Sequence, residues 1–242
     1  MSITTKESHT QHISQQFNQD LSELRNQLLN MGGVVQRQVS DAVEALITNN
    51  SELADIVRTK DQEVDAMELM IDEDCTQLIA RRQPAASDLR LVISIIKMVA
   101  DIERIGDEAC KIAKMAIRLT EDGKAPRGYV EIRHISDHVS QMVNGALDAF
   151  ARFDVDVAFN IMKEDHSVDL EYKSAVRSLM TFMMEDQRSI SQIHSVMWVL
   201  RALERIGDHA CNIAEHVIYI VKGKDVRHMP IKQAEQLVES GK

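Results

Sequence analysis

Four acidic pairs, each with members four residues apart, are the side chains whose type and spacing could do chemistry: Asp61/Asp65, Glu103/Asp107, Asp165/Asp169 and Glu204/Asp208. Residues four apart share one face of a helix, where like charges repel mildly. A single pair reads as a solvated acidic face. Four pairs in one geometric position need another account. Relative to Val64, Gly106, Val168 and Gly207, each pair lies three residues before and one after. On a helix that places the acids about 60° and about 100° to one side of the reference residue. Helices joined by a short turn pack antiparallel, and equal flanks of such a pair fall on the same side of the contact. The acids of the second and third helices therefore line one edge of a groove, with four carboxylates in each half of the chain. Carboxylates that close repel strongly unless something neutralises them. All-oxygen ligation suits Mg²⁺, Ca²⁺, Mn²⁺ or oxidised iron better than a thiolate-type zinc site. The alternative is a salt-bridge network in which Arg104 and Arg205 neutralise the acids without a metal.

Long helices are needed to hold these acids, and the composition supplies them. In 242 residues there are 9 Gly, 3 Pro and 4% aromatics, against 44% hydrophobic residues. Scarce breakers exclude collagen-like, low-complexity and turn-dense β readings. Pro84, Pro126 and Pro230 punctuate the periodic runs, as expected where helices end. The pattern predicts six helices over 13–48, 52–82, 87–121, 128–152, 155–185 and 189–222. Residues 1–12 read as a loosely ordered arm and 225–242 as a polar tail.

The second three helices repeat the first three. A shift of 104 pairs Ala42 with Ala146, Ala54 with Ala158, Asp61 with Asp165 and Asp65 with Asp169. A shift of 101 superposes 103–113 on 204–214 with nine identities in eleven positions, including Glu-Arg-Ile-Gly-Asp in both copies. The three-residue difference falls in a turn, where an insertion is tolerated. The expected fold is all-α: two tandem three-helix bundles, 13–122 and 123–224, related by duplication with pseudo-twofold symmetry.

A heptad seam runs through the third helix as Val92, Ile95, Val99, Ile102, Gly106, Ala109 and Ala113. In the sixth it runs Ile193, Val196, Leu200, Leu203, Gly207, Ala210, Ala214, Val217 and Val221. Spacing that alternates three and four predicts bundle packing. A mid-helix Gly on each seam predicts a packing notch. Cys110 and Cys211 read as inert packing, and His209 as an exposed residue. Glu131-x-x-His134 has a di-iron bundle spacing, but such bundles need two copies, so it reads as surface. Glu44 and Asp148 keep an acid at equivalent places in helices one and four and are further candidate ligands. Trp198 and the methionines at 180, 183 and 184 read as core or partner surface.

A net charge of −10 argues against nucleic acid as a partner. No charge-free run exceeds twelve residues, the length of Ser189–Leu200, too short for a transmembrane helix of about 20. The N-terminal stretch lacks an apolar signal core, and three cysteines form no framework, which together predict a cytoplasmic protein. No phosphate loop, dinucleotide fingerprint or nucleophile–base set is present. An enzyme reading survives only as a carboxylate-ligated metal protein doing redox chemistry or phosphate hydrolysis.

Asp-x-x-Val-Asp at 61–65 and 165–169, Arg-Arg-Gln-Pro-Ala-Ala-Ser-Asp-Leu-Arg at 81–90 and the doubled Glu-Arg-Ile-Gly-Asp-x-Ala resemble the PhoU family of bacterial phosphate-transport accessory proteins, over about residues 10–228. The resemblance implies a cytoplasmic, commonly dimeric regulator that is not an enzyme. It implies repression of the phosphate-starvation response and restraint of phosphate uptake when phosphate is plentiful. The partners implied are the phosphate ABC transporter, through its ATPase subunit, and the sensor histidine kinase of the phosphate regulon. It also implies metal ions (iron, manganese, magnesium or zinc) at the matching positions Asp61, Asp65, Glu103, Asp107, Asp165, Asp169, Glu204 and Asp208.

Overall fold

The computed structural model of the chain describes residues 4–240, with side chains from residue 15 onward. Its helices are α1 (Thr4–Thr48), α2 (Ser51–Arg82), α3 (Ala86–Glu121), α4 (Tyr129–Arg152), α5 (Val155–Glu185), α6 (Ile190–Lys222) and α7 (Ile231–Glu239), with one 3₁₀ turn at Gln187–Ser189. The first helix begins at Thr4, so the arm expected to be loose joins α1 from that residue on; residues 1–3 lie outside the described part.

Local signals explain the boundaries. The Asn50 side chain accepts from the backbone N–H of Leu53 at 3.0 Å, and the Asp154 side chain accepts from that of Val157 at 3.0 Å. Each satisfies an orphan donor in the first turn of its helix. The two caps are repeat-related, and the residues before them, Asn49 and Phe153, both adopt positive φ. Helix α2 stops at left-handed Gln83, just before Pro84, and α6 stops at left-handed Gly223, where Gly carries no Cβ penalty.

Helices α1–α3 pack as one bundle and α4–α6 as the other; the bundles meet along α3 and α6, with α1 against α4. The fold is thus two tandem three-helix bundles produced by duplication. Their apolar side chains form one continuous buried cluster. Every seam residue of α3 and α6 is buried except Val221, which is exposed at the end of α6. No helix among the described residues is long and apolar enough to cross a membrane.

The C-terminal segment departs from the expectation of a loose polar tail. Helix α7 packs on α5 and buries Ala234 and Val238. Lys163 pairs with Glu235 at 2.9 Å, and Lys222 donates to the carbonyl of Val238 at 2.8 Å. Its apolar stripe is two residues spaced one turn apart, too short for periodicity to register.

Candidate functional site

The Glu-Arg-Ile-Gly-Asp copies sit at the middle of α3 and α6, where each faces the Asp-x-x-Val-Asp turn of the preceding helix. The glycines record the approach. A Cβ on Gly106 would lie 3.1 Å from Gln38 Oε1, 3.5 Å from Val64 Cγ1 and 3.6 Å from Asp61 Oδ1. A Cβ on Gly207 would lie 3.6 Å from Val168 Cγ1 and 3.9 Å from Met142 Cε. Positions 38 and 142 are related by the repeat, as are 64 and 168, so the two notches are copies of one packing arrangement.

In the second repeat all four predicted acids act on one another. Glu204 is raised above its ordinary value by burial and then by Asp208, Asp169 and Asp165. Asp165 is pushed up to about 6 by burial, then by Asp208 and Asp169. Asp208 is raised by burial and then by Asp169. In the first repeat Asp65, Glu103 and Asp107 come together: Glu103 is raised by burial, then by Asp107, Glu68 and, more weakly, Asp65. Asp61 lies beside Gly106 and is held by Gln38. Its Oδ1 accepts from Gln38 Nε2 at 3.2 Å, beside the buried Cys110 thiol.

Sequence reasoning missed four participants. Glu68 joins the first cluster, itself raised by burial and by Asp72 and Asp65; it is one more acid on an acidic helix, and the repeat has Tyr172 in its place. Gln38 brings a neutral oxygen from α1. In the second cluster Lys173 donates to Asp169 Oδ2 at 2.7 Å and Arg201 to Glu204 Oε1 at 2.6 Å. The clusters therefore differ: the first has an additional carboxylate and Arg104 beside Glu103, the second has Lys173 and Arg201 bonded to its acids.

The arginine alternative is met by Arg104 and not by Arg205. Arg104 lies 3.5 Å from its neighbour Glu103. Arg205 donates across the repeat boundary to Glu108 at 3.0 Å. His209, expected to be exposed, is mostly buried and meets Asp101 at 2.9 Å, with Asn212 on the same oxygen at 3.0 Å. Asp148 is taken by Arg152 at 2.8 Å, and Glu44 is exposed, so neither joins the clusters. Burial raises the thiols of Cys75 and Cys110 to about 12 and that of Cys211 further, which leaves them protonated and inert. Trp198, Met180 and Met184 are exposed surface rather than core.

The donor set fits an oxygen-ligated cation. Glu204 Oε2 and Gln38 Oε1 are buried without a hydrogen-bond partner, and a buried acceptor left bare is costly. Among the described residues, no three His, Cys, Asp or Glu side chains already converge as a ready-made metal cage. The carboxylates are instead grouped by their mutual charge.

The family of PhoU domains matches residues 28–116 and 132–217, one match per repeat. The chain belongs to the PhoU family. It is 62% identical over 231 residues to the Phosphate-specific transport system accessory protein PhoU homolog of Pseudomonas putida, covering 96% of this chain and 90% of that one. The crystal structure of PhoU from Pseudomonas aeruginosa aligns with a TM-score of 0.85 at 59% identity, over 86% of this chain and all of that one. The phosphate transport system regulatory protein PhoU of Streptococcus pneumoniae aligns with a TM-score of 0.81 at 30% identity, over 87% and 99%. Both PhoU repeats of this chain carry the acid–glycine notch at their centre.

Proposed function

We propose that this protein is a regulatory adaptor of phosphate uptake. With phosphate plentiful it represses the starvation response and restrains import. It does so by linking the phosphate ABC transporter, through its ATPase subunit, to the phosphate-sensing histidine kinase. The observation that carries the reading is the 62% identity to a phosphate-specific transport system accessory protein over nearly the whole of both chains. The reading makes the protein cytoplasmic, homodimeric and without turnover.

We further infer that Asp61, Asp65, Glu103, Asp107, Asp165, Asp169, Glu204 and Asp208 hold hard cations of the iron, manganese, magnesium or zinc group. A bound cation supplies positive charge to carboxylates that otherwise repel, tying α2 to α3 and α5 to α6. The chain's own contribution is the close approach to Gly106 in the first repeat and the buried oxygens of Glu204 and Gln38, which lack a hydrogen-bond partner. The adaptor reading is tested by mixing the purified protein with the purified ATPase subunit and with the kinase cytoplasmic region. Stable complexes on gel filtration are expected; no association with either contradicts the reading.

A further inference from the structure

The second repeat carries a cluster of nitrogen and oxygen donors that the first repeat lacks. On α4, His134 and His138 stand one turn apart and so share a face. On α5, Glu164 and Glu171 meet them. His134 Nδ1 lies 3.1 Å from Glu171 Oε2, and His138 Nδ1 lies 3.2 Å from Glu171 Oε1. His138 Nε2 lies 2.8 Å from Glu164 Oε2. The positions 104 residues earlier are Asn30, Val34, Lys60 and Met67. The duplication therefore does not account for the cluster, and none of its members belongs to the acid pairs that face α6.

A neutral imidazole has one N–H, yet both nitrogens of His138 face carboxylate oxygens, which only accept. Either the ring carries a second proton or a cation stands between Nδ1 and Glu171. With Nε2 donating to Glu164, the Nδ1 lone pair points at Glu171. A metal-bound histidine has this arrangement, its other nitrogen donating to an outer carboxylate. His134 and His138 meet opposite oxygens of the one Glu171 carboxylate, at 3.1 and 3.2 Å, so the donors surround it without yet converging on a single point.

We infer that His134, His138 and Glu171 form a surface metal site for a borderline divalent ion of the zinc type, with water as fourth ligand and Glu164 orienting His138. Three protein ligands and an open position are within the habits of zinc, and imidazole donors select it over Mg²⁺ or Ca²⁺. His134 is 72% exposed, so its ring is free to turn and bring the donors onto one ion. The site is independent of the phosphate-regulation reading and of the carboxylate clusters.

The test is titration of the metal-free full chain with Zn²⁺, followed by calorimetry and by ¹⁵N NMR of the imidazole rings. One equivalent is expected to move the ring nitrogens of His134 and His138 among the nine histidines. Affinity is expected to fall at least about tenfold in His134→Ala and in His138→Ala. Glu164→Gln, which removes no ligand, is expected to cost about 10-fold. Binding is expected to persist when Glu103, Asp107, Glu204 and Asp208 are all changed to amides. Unmoved rings, unchanged zinc affinity in both histidine variants, or loss of zinc only in the amide variant would each overturn the assignment.

Discussion

Arg205 on α6 donates from Nε to Oε1 of Glu108 on α3, 3.0 Å away, and so ties the second repeat to the first. The Glu108 side chain is 3% exposed and Arg205 is 42% exposed. Lys111 meets the same carboxylate oxygen at 3.0 Å. Removing one partner of a wholly buried pair costs roughly 3–5 kcal/mol. Here Lys111 remains and the cations are half in water, so Arg205→Ala is expected to cost about 1–2 kcal/mol. Urea unfolding measures it. A variant as stable as wild type contradicts the bridge.

The two glycine notches make opposite demands. A methyl on Gly207 meets only ordinary contacts, 3.6 Å and beyond, and Ala in a helix interior is favoured over Gly by about 1 kcal/mol. Gly207→Ala is expected to raise Tm by about 2–4 °C. On Gly106 the methyl comes within 3.1 Å of Gln38 Oε1, disturbing a carboxamide that also holds Asp61. Gly106→Ala is expected to gain less or to lose stability. Equal shifts in the two melting curves contradict the difference between the repeats.

That difference marks how far the sequence could be read. The six long helices were legible because heptad spacing and prolines are local, and the duplication because the same motifs occur twice in the chain. The placement of acids beside Gly106 and Gly207 followed from helical arithmetic. Asp61 turning to Gln38 was not legible, because the contact spans helices and its repeat partner is Met142. Lys173 and Arg201 entering the second cluster depend on rotamers that spacing does not specify. The Asp101–His209 contact joins residues 108 apart in the chain, and only the packing of the bundles brings them together.

The second cluster predicts a pH dependence. Asp165 titrates near 6 in the fold against about 4 in an unfolded chain. Between those values the folded state binds the proton more tightly, so this group's contribution to stability is complete below about pH 4 and is lost as pH rises through 6. His216, buried and lowered to about 4, acts in the opposite direction below its ordinary range. Asp165→Asn isolates the carboxylate: it is expected to be more stabilising at pH 8 than at pH 5. Melting curves at the two values check this, and equal effects contradict it.

The cations bonded to the second cluster predict unequal metal binding. Lys173 on Asp169 and Arg201 on Glu204 compete with any ion in the second repeat, whereas the first repeat adds Glu68. Lys173→Ala is expected to strengthen Mn²⁺ binding, by a few-fold for an exposed pair of about 0.2–1 kcal/mol. Changing Glu103, Asp107, Glu204 and Asp208 together to amides is expected to abolish stoichiometric Mn²⁺ or iron while leaving helicity nearly intact. Metal analysis with circular dichroism decides it; full metal content in that variant contradicts the assignment.

Negative regulation of the phosphate response is tested by deleting the gene in its own host. Alkaline phosphatase is read as the starvation reporter during growth in ample phosphate, in the deletion strain and after restoring the wild-type gene. High activity is expected in the deletion strain, falling when the gene is restored. Low activity in both strains, with the transporter present, would contradict it.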